Sequence, residues 1–171
     1  MSTKPVAVMV CGISGSGKTN FSKLLESEGY IRFSVDEEMQ KEKSLSEGKT
    51  VLRGKAIEHI KIQLSETISN GKNAVLDISF CHKIQRDEFK ALIEKNGGIW
   101  KLFYLKANLE TLKNRLSERT ESGDPNAIPV SEKELLGFWE RFEVPSGEGE
   151  IVINSEKPFD LGKIQNNLMD F

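Results

Sequence analysis

Short apolar runs and amphipathic stretches alternate along the whole chain. Val6-Ala7-Val8-Met9-Val10-Cys11 is continuously apolar, which predicts a strand buried on both faces. A glycine-rich turn follows, then Phe21, Leu24 and Leu25 at helical spacing, so a helix is predicted to about Ser27. Tyr30–Val35 alternates like a strand and stops at Asp36; Glu37–Glu47 is charged, and Gly48 breaks it. Val51, Ile57, Ile60, Leu64 and Ile68 lay one apolar stripe along a helix from about Thr50 to Ser69, stopped by Asn70-Gly71. Further strands are predicted at Ala74–Ile78, Ile99–Leu105 and Glu150–Asn154, and further helices at Lys83–Lys95, Leu109–Glu118, Glu132–Phe142 and Leu161–Met169. Thr120–Ser131 between two of these is polar and holds Gly123, Pro125 and Pro129.

Apolar strands alternating with helices predict an α/β fold whose parallel sheet is covered on both faces. No internal repeat or low-complexity linker divides the 171 residues, so one domain spanning 1–171 is expected. Ligands in such sheets sit at the carboxyl ends of the strands. Three segments fall there: Gly12–Thr19, Ser34–Glu37 and Asp77–Phe80.

Composition narrows the setting. With 37% apolar and 29% charged residues the chain reads as soluble and globular, and no apolar stretch is long enough to cross a bilayer. Met1–Pro5 leads into the first strand without the apolar core of a signal peptide, and Cys11 and Cys81 have no metal-ligand spacing. A cytoplasmic location is expected. The net charge of −2 argues against broad electrostatic binding to nucleic acid, although an average does not exclude one basic groove.

Gly12-Ile13-Ser14-Gly15-Ser16-Gly17-Lys18-Thr19 fits the Gly-x-x-x-x-Gly-Lys-[Ser/Thr] phosphate-binding loop, with a strand before it and a helix after it. Glycines let successive backbone N–H groups close on a polyphosphate, Lys18 reaches the β- and γ-phosphates, and the Thr19 hydroxyl suits Mg²⁺. Asn20 completes the loop's entry into the helix. Asp77, after three apolar residues, is either a carboxylate holding Mg²⁺ through water or a turn aspartate. Asp36 is either a general base or the N-cap of the next helix. Arg115 and Arg119 share a helix face beside the polar segment; they either cover a transferring phosphate or pair with Glu118 or Glu121 at the surface. Arg86 either binds a phosphate or substrate anion or lies at the surface. Arg53 is placed to touch an acceptor anion. His82 and Cys81 are pocket candidates, while His59, Trp100, Phe138 and Trp139 read as structural.

In order along the chain, the loop, Ser34-Val35-Asp36-Glu37, Val75-Leu76-Asp77-Ile78-Ser79-Phe80, Arg86, Arg115-Leu116-Ser117-Glu118-Arg119 and Phe142-Glu143-Val144-Pro145 resemble the P-loop kinases. The closest likeness is to the compact members related to polynucleotide 5′-hydroxyl kinase domains and chloramphenicol phosphotransferase. The resemblance implies a P-loop NTPase fold: a five-stranded parallel sheet, order 2-3-1-4-5, flanked by helices and carrying a lid, here about 120–131. It implies transfer of the γ-phosphate of ATP, with Mg²⁺, to a hydroxyl or phosphate acceptor. Lys18 and Thr19 would bind ATP and Mg²⁺, Asp36 would be the base, Asp77 would order the metal and its waters, and Arg115 and Arg119 would be lid arginines. The segment near Asn154 and Ser155 would hold adenine.

One departure matters. Polynucleotide kinases carry an arginine three residues after the base, and this chain has Met39 there, among Glu37, Glu38 and Glu42. That acidity favours a small hydroxyl-bearing acceptor, neutral or cationic, over a nucleic-acid end. A polynucleotide 5′-hydroxyl kinase and a regulatory ATPase without an acceptor are the alternatives. The sequence carries neither the Asn-Lys-x-Asp guanine motif nor a transporter signature loop.

Overall fold

The computed structural model describes residues 3–42, 48–123 and 129–170. Five parallel strands, β1 (Val6–Cys11), β2 (Ile31–Ser34), β3 (Ala74–Asp77), β4 (Ile99–Lys106) and β5 (Glu150–Asn154), form one sheet in the order β2-β3-β1-β4-β5. Helices α1 (Lys18–Ser27), α2 (Val35–Lys41), α3 (Lys49–Ser69), α4 (Lys83–Lys95), α5 (Leu109–Ser122), α6 (Glu132–Arg141) and α7 (Leu161–Met169) flank it. This is the fold class and strand order that the sequence implies.

The two-residue period of β1 divides the core. Val6, Val8 and Val10 face α1 and α7, where Phe21, Leu25, Ile164 and Leu168 meet them. Ala7, Met9 and Cys11 face the other way, toward Ile60, Leu64 and Ile68 of α3 and Phe89 and Ile93 of α4. Each fully buried Leu, Ile or Phe stabilises the fold by about 1.5–3 kcal/mol. Residues at matching register, Val10 beside Asp77 and Asp77 beside Ser34, put the ends of β1, β3 and β2 side by side. The functional segments leave from those ends.

Several ends shift by one residue, and at two elements, β2 and α5, the difference bears on the site. β2 stops at Ser34, not Val35, because Ser34 becomes the N-cap of α2: its hydroxyl accepts the Glu37 N–H at 3.4 Å. Asp36, Glu37 and Glu38 then occupy the first helical turn, where carboxylates complement the helix dipole. Asp36 is therefore neither the end of the strand nor the cap. α5 runs one turn beyond Glu118 and ends on Gly123 in the left-handed region, so it takes in the start of the polar segment. Of the expected lid at 120–131, residues 124–128 lie outside the described residues.

Candidate functional site

Between β1 and α1 the chain makes a tight loop. The Gly12 N–H donates to the Ser79 carbonyl at 3.1 Å and the Ser16 N–H to the Ile13 carbonyl at 3.0 Å. Gly15 and Gly17 take φ values of 88° and 95°, a region that side chains strain to enter. Gly17 caps α1 without a side-chain bond, and the first turn of α1 holds no acidic residue, so the helix start keeps its affinity for an anion. Lys18 Nζ donates to the Ile13 carbonyl at 3.2 Å, folded across the loop. The buried Ser16 Oγ has no partner. A loop of this shape, with an orphaned buried hydroxyl and an uncapped helix start, fits a nucleotide polyphosphate.

A methyl at Gly12 would stand 2.4 Å from Ser16 Oγ, 3.1 Å from Ser16 Cβ and 3.2 Å from the Leu105 carbonyl. Gly12→Ala is therefore expected to push the loop open and weaken ATP-analogue binding about tenfold or more, ~1.4 kcal/mol. Titration with a fluorescent analogue checks this, and unchanged affinity would mean that the loop's closed shape does not govern binding.

Asp77 ends β3 against α1. Its Oδ2 accepts from Thr19 Oγ1 at 3.0 Å, Ser22 Oγ at 3.3 Å and Arg32 Nη1 at 3.1 Å. Burial pushes the Asp77 carboxyl above its ordinary value, opposed by Lys18, the Thr19 hydroxyl and Arg32. Burial likewise lowers the Lys18 ammonium, opposed by Asp77 and Asp36. A hydroxyl and a carboxylate in contact are the hard oxygen donors that Mg²⁺ takes together with waters. Thr19 and Asp77 therefore fit that ion.

The acidity around Asp36 is largely cancelled. Arg32, on β2, pairs with Glu37, with Glu26 at 3.4 Å and with Asp77 at 3.1 Å. Glu38 is buried and pairs with Lys41 at 2.5 Å and His59 Nδ1 at 2.7 Å, which hold its carboxyl below the ordinary value against the cost of burial. The repulsion of polyanions expected from Glu37, Glu38 and Glu42 loses two of its three sources. Met39 packs into the core. Asp36 itself is half-buried and has no hydrogen bond or ion pair among the described residues.

The loop after β3 is strained and pinned. Phe80 has φ 50°, alone among described non-glycine residues in lying above zero. Its carbonyl accepts from Arg86 Nη1 at 2.8 Å and from Cys11 Sγ at 3.5 Å, and its ring meets Phe89 edge-on. Arg86 in turn holds both oxygens of Glu148, at 2.8 and 2.7 Å. Arg86 is fully buried, so it is neither the anion ligand nor the surface residue that the sequence suggested. Each of its three nitrogens donates inside the fold. The Phe142–Pro145 segment has a similar duty: the Glu143 N–H donates to the Cys81 carbonyl, and its carboxylate accepts the Lys83 N–H that starts α4.

Arg115 Nη1 donates to the Gly15 carbonyl at 3.1 Å and Nη2 to the Ser155 carbonyl, tying the loop to the chain after β5. Neither Arg115 nor Arg119 pairs with Glu118 or Glu121 among the described residues, and the guanidinium of the half-buried Arg119 has no partner there, its carbonyl alone accepting from Ser122 Oγ. A cavity of about 290 Å³ lies between α5 and α6, lined by Leu116, Thr120, Val130 and Leu135. His82 is exposed and 3.4 Å from Glu143. Cys81 is half-buried and close enough to influence Lys18. No group of three or more His, Cys, Asp or Glu residues suited to a metal occurs among the described residues.

Sequence reasoning missed Arg32, Ser22 and Glu148. Ser22 carried a signal, since it lies three residues after Thr19 on the same helical face. The other two gave none: Glu148 has its partner 62 residues away, and Arg32 reaches Asp77 45 residues away and its nearer partners only across element boundaries.

The sequence profile of an AAA domain, AAA_33, matches residues 8–145, nearly all of the loop-to-Pro145 core just described. The chain belongs to the AAA_33 family of AAA domains. Solved structures agree on the fold. A Chloroflexus aurantiacus protein assigned provisionally as a kinase superposes with a TM-score of 0.79 at 16% identity, over 97% of each chain. A gluconokinase from Sinorhizobium meliloti gives 0.66 at 19% identity, over 96% of this AAA domain and 89% of that chain. A chain in the structure of the Pnkp1/Rnl/Hen1 RNA repair complex gives 0.70 at 12% identity, over 82% of this chain and 45% of the other. None of the curated proteins compared with it matches. The AAA domain thus has the P-loop kinase-like fold. No helix among its described residues is long and apolar enough to cross a membrane.

Proposed function

We propose that this chain is an ATP-dependent kinase that transfers the γ-phosphate to a hydroxyl of a small molecule. The reading rests on one juxtaposition: the Thr19–Asp77 contact at 3.0 Å, beside a phosphate loop with an uncapped helix start, with Asp36 one strand away. The backbone N–H groups of Gly12–Asn20 and Lys18 bind and orient the triphosphate. Thr19, and Asp77 through water, would hold Mg²⁺, which when bound neutralises phosphate charge. Asp36 accepts the proton of the acceptor hydroxyl as its oxygen bonds to the γ-phosphorus; the bond to the β–γ bridging oxygen breaks and ADP leaves. Arg119, unpartnered and one turn beyond Arg115, offsets charge on the transferring group, while Arg115 holds the loop and the adenine side. The unit that does this is the chain as one domain, 1–171, in the cytoplasm.

The test is ADP release from MgATP with sugars, sugar acids, nucleosides, aminoglycosides and a 5′-hydroxyl oligonucleotide. Stimulation by a small acceptor, with phosphate recovered on it, is the expected result. Stimulation by the oligonucleotide alone would support the polynucleotide reading, which gains from the pairing of Glu37 and Glu38. Hydrolysis indifferent to every acceptor would point to a regulatory ATPase.

A further inference from the structure

Besides Arg119, four arginines border the site, and three of these have their charge or donors answered. Arg32 faces Glu26, Glu37 and Asp77, Arg86 holds Glu148 with two nitrogens, and Arg115 holds two carbonyls. Arg53 differs. It lies near the start of α3, half-buried, and its Nη2 donates to Ser79 Oγ at 2.7 Å. Ser79 is two residues past Asp77, and its carbonyl holds the Gly12 N–H. The guanidinium is thus fastened to the junction of β3 and the phosphate loop. There it meets a neutral hydroxyl and, among the described residues, no carboxylate.

We propose that Arg53 receives a compact oxyanion, a carboxylate or a phosphate, carried by the acceptor whose hydroxyl meets Asp36. This rests on the kinase reading above and names its substrate class. A half-buried cation without a counter-ion is costly, and an anion that pairs with it recovers that cost. One hydrogen bond to Ser79 leaves most of the five donors of the planar fork open, and that fork matches carboxylate and phosphate oxygens in pairs. The direction also fits. α2, which carries Asp36, packs against α3, which carries Arg53. Lys18 senses both, Asp36 attractively and Arg53 repulsively, so the three share one electrostatic neighbourhood. A small acceptor spanning Arg53 and Asp36 would have its hydroxyl fixed by its own charge. The neutral or cationic acceptor expected from the acidic sequence gives way to an anionic one.

The experiment is calorimetric titration of the full chain, loaded with Mg²⁺ and a non-hydrolysable ATP analogue. The probes are paired: gluconate against glucose, and ribose 5-phosphate against ribose, with a 5′-hydroxyl dinucleotide alongside. The expected result is binding of one anionic member at least tenfold tighter than its neutral partner. Arg53→Met should bring that ratio close to one, and Arg53→Lys should keep part of it. Which pair responds separates carboxylate from phosphate. Equal or better binding of the neutral partners, or an anion preference undiminished in Arg53→Met, overturns the proposal. So does an Arg53→Met variant that loses affinity for the ATP analogue while keeping the acceptor ratio, which would place Arg53 on the transferring phosphate. Binding is scored without turnover, so Arg53-dependent anion binding without phosphoryl transfer sinks the kinase reading and leaves this inference standing.

Discussion

Asp36→Asn is expected to cut phosphoryl transfer by about two to four orders of magnitude while ATP-analogue affinity stays near its original value. The amide keeps the shape of the carboxylate and cannot take the acceptor's proton. Asp36 has no hydrogen bond or ion pair among the described residues, so the change orphans nothing in the fold. Its charge reaches Lys18 only through space, and Asp77 remains the larger influence on that ammonium. Lys18→Ala supplies the contrast: it should lose transfer and nucleotide binding together, because Lys18 lies across the loop itself. Single-turnover kinetics beside equilibrium binding separate the two patterns. Undiminished turnover in Asp36→Asn would remove the base assignment, and lost nucleotide affinity would move Asp36 into the phosphate site.

The largest stability effect is expected far from the loop in sequence. Glu148→Gln leaves the fully buried Arg86 without its counter-ion, and breaking such a pair from one side typically costs ~3–5 kcal/mol. For a chain of this size that lowers the melting temperature by on the order of 10 °C. The pair also has a pH signature. Its hydrogen bonds to Arg86 hold the Glu148 carboxyl below the ordinary 4.5. The stabilisation is therefore complete above that ordinary value and fades as pH falls through the lowered one. Glu148→Gln should lose this acid-side slope. The double variant Arg86→Met, Glu148→Leu should recover much of the single variant's loss, since apolar replacement of a buried pair is often near neutral. Strictly additive losses would mean that the two residues do not act as a pair. Recovery should be incomplete, because the strained Phe80 carbonyl still loses its Arg86 donor.

These two sites show what a sequence reveals and what it hides. Asp36 and Lys18 were legible because they stand where a strand gives way to a helix, and that boundary is written in local hydrophobic patterning. β5 and α7 fall where the pattern places them, as does β1, whose six residues are all buried. Arg86 was not legible. Nothing near it announces a partner 62 residues away, and a charged residue in a polar helix start looks like surface. Arg32 misleads in the same way, being one charge in an edge strand whose three partners come from α1, α2 and β3. Glu37 and Glu38 read as an acidic patch because Arg32 on β2 and His59 on α3 meet them only in the folded chain; the Lys41 partner of Glu38, three residues on in α2, was legible. The end of β2 moved for a local reason, a serine hydroxyl that outcompetes one more strand residue.

The strand order has a consequence for how the protein is made. β1 precedes the other four strands of this sheet in the chain and is its middle strand, hydrogen-bonded to β3 on one side and β4 on the other. The loop that follows it is tied through its Gly12 N–H to the Ser79 carbonyl and is braced by Arg115. A nascent chain that has emerged only as far as α3 already carries Gly12–Thr19 in full but has only the loop's internal bonds to Ile13 to hold it in shape. The long-range contacts of the loop, to Ser79 and to Arg115, can therefore form only after those residues have been synthesised.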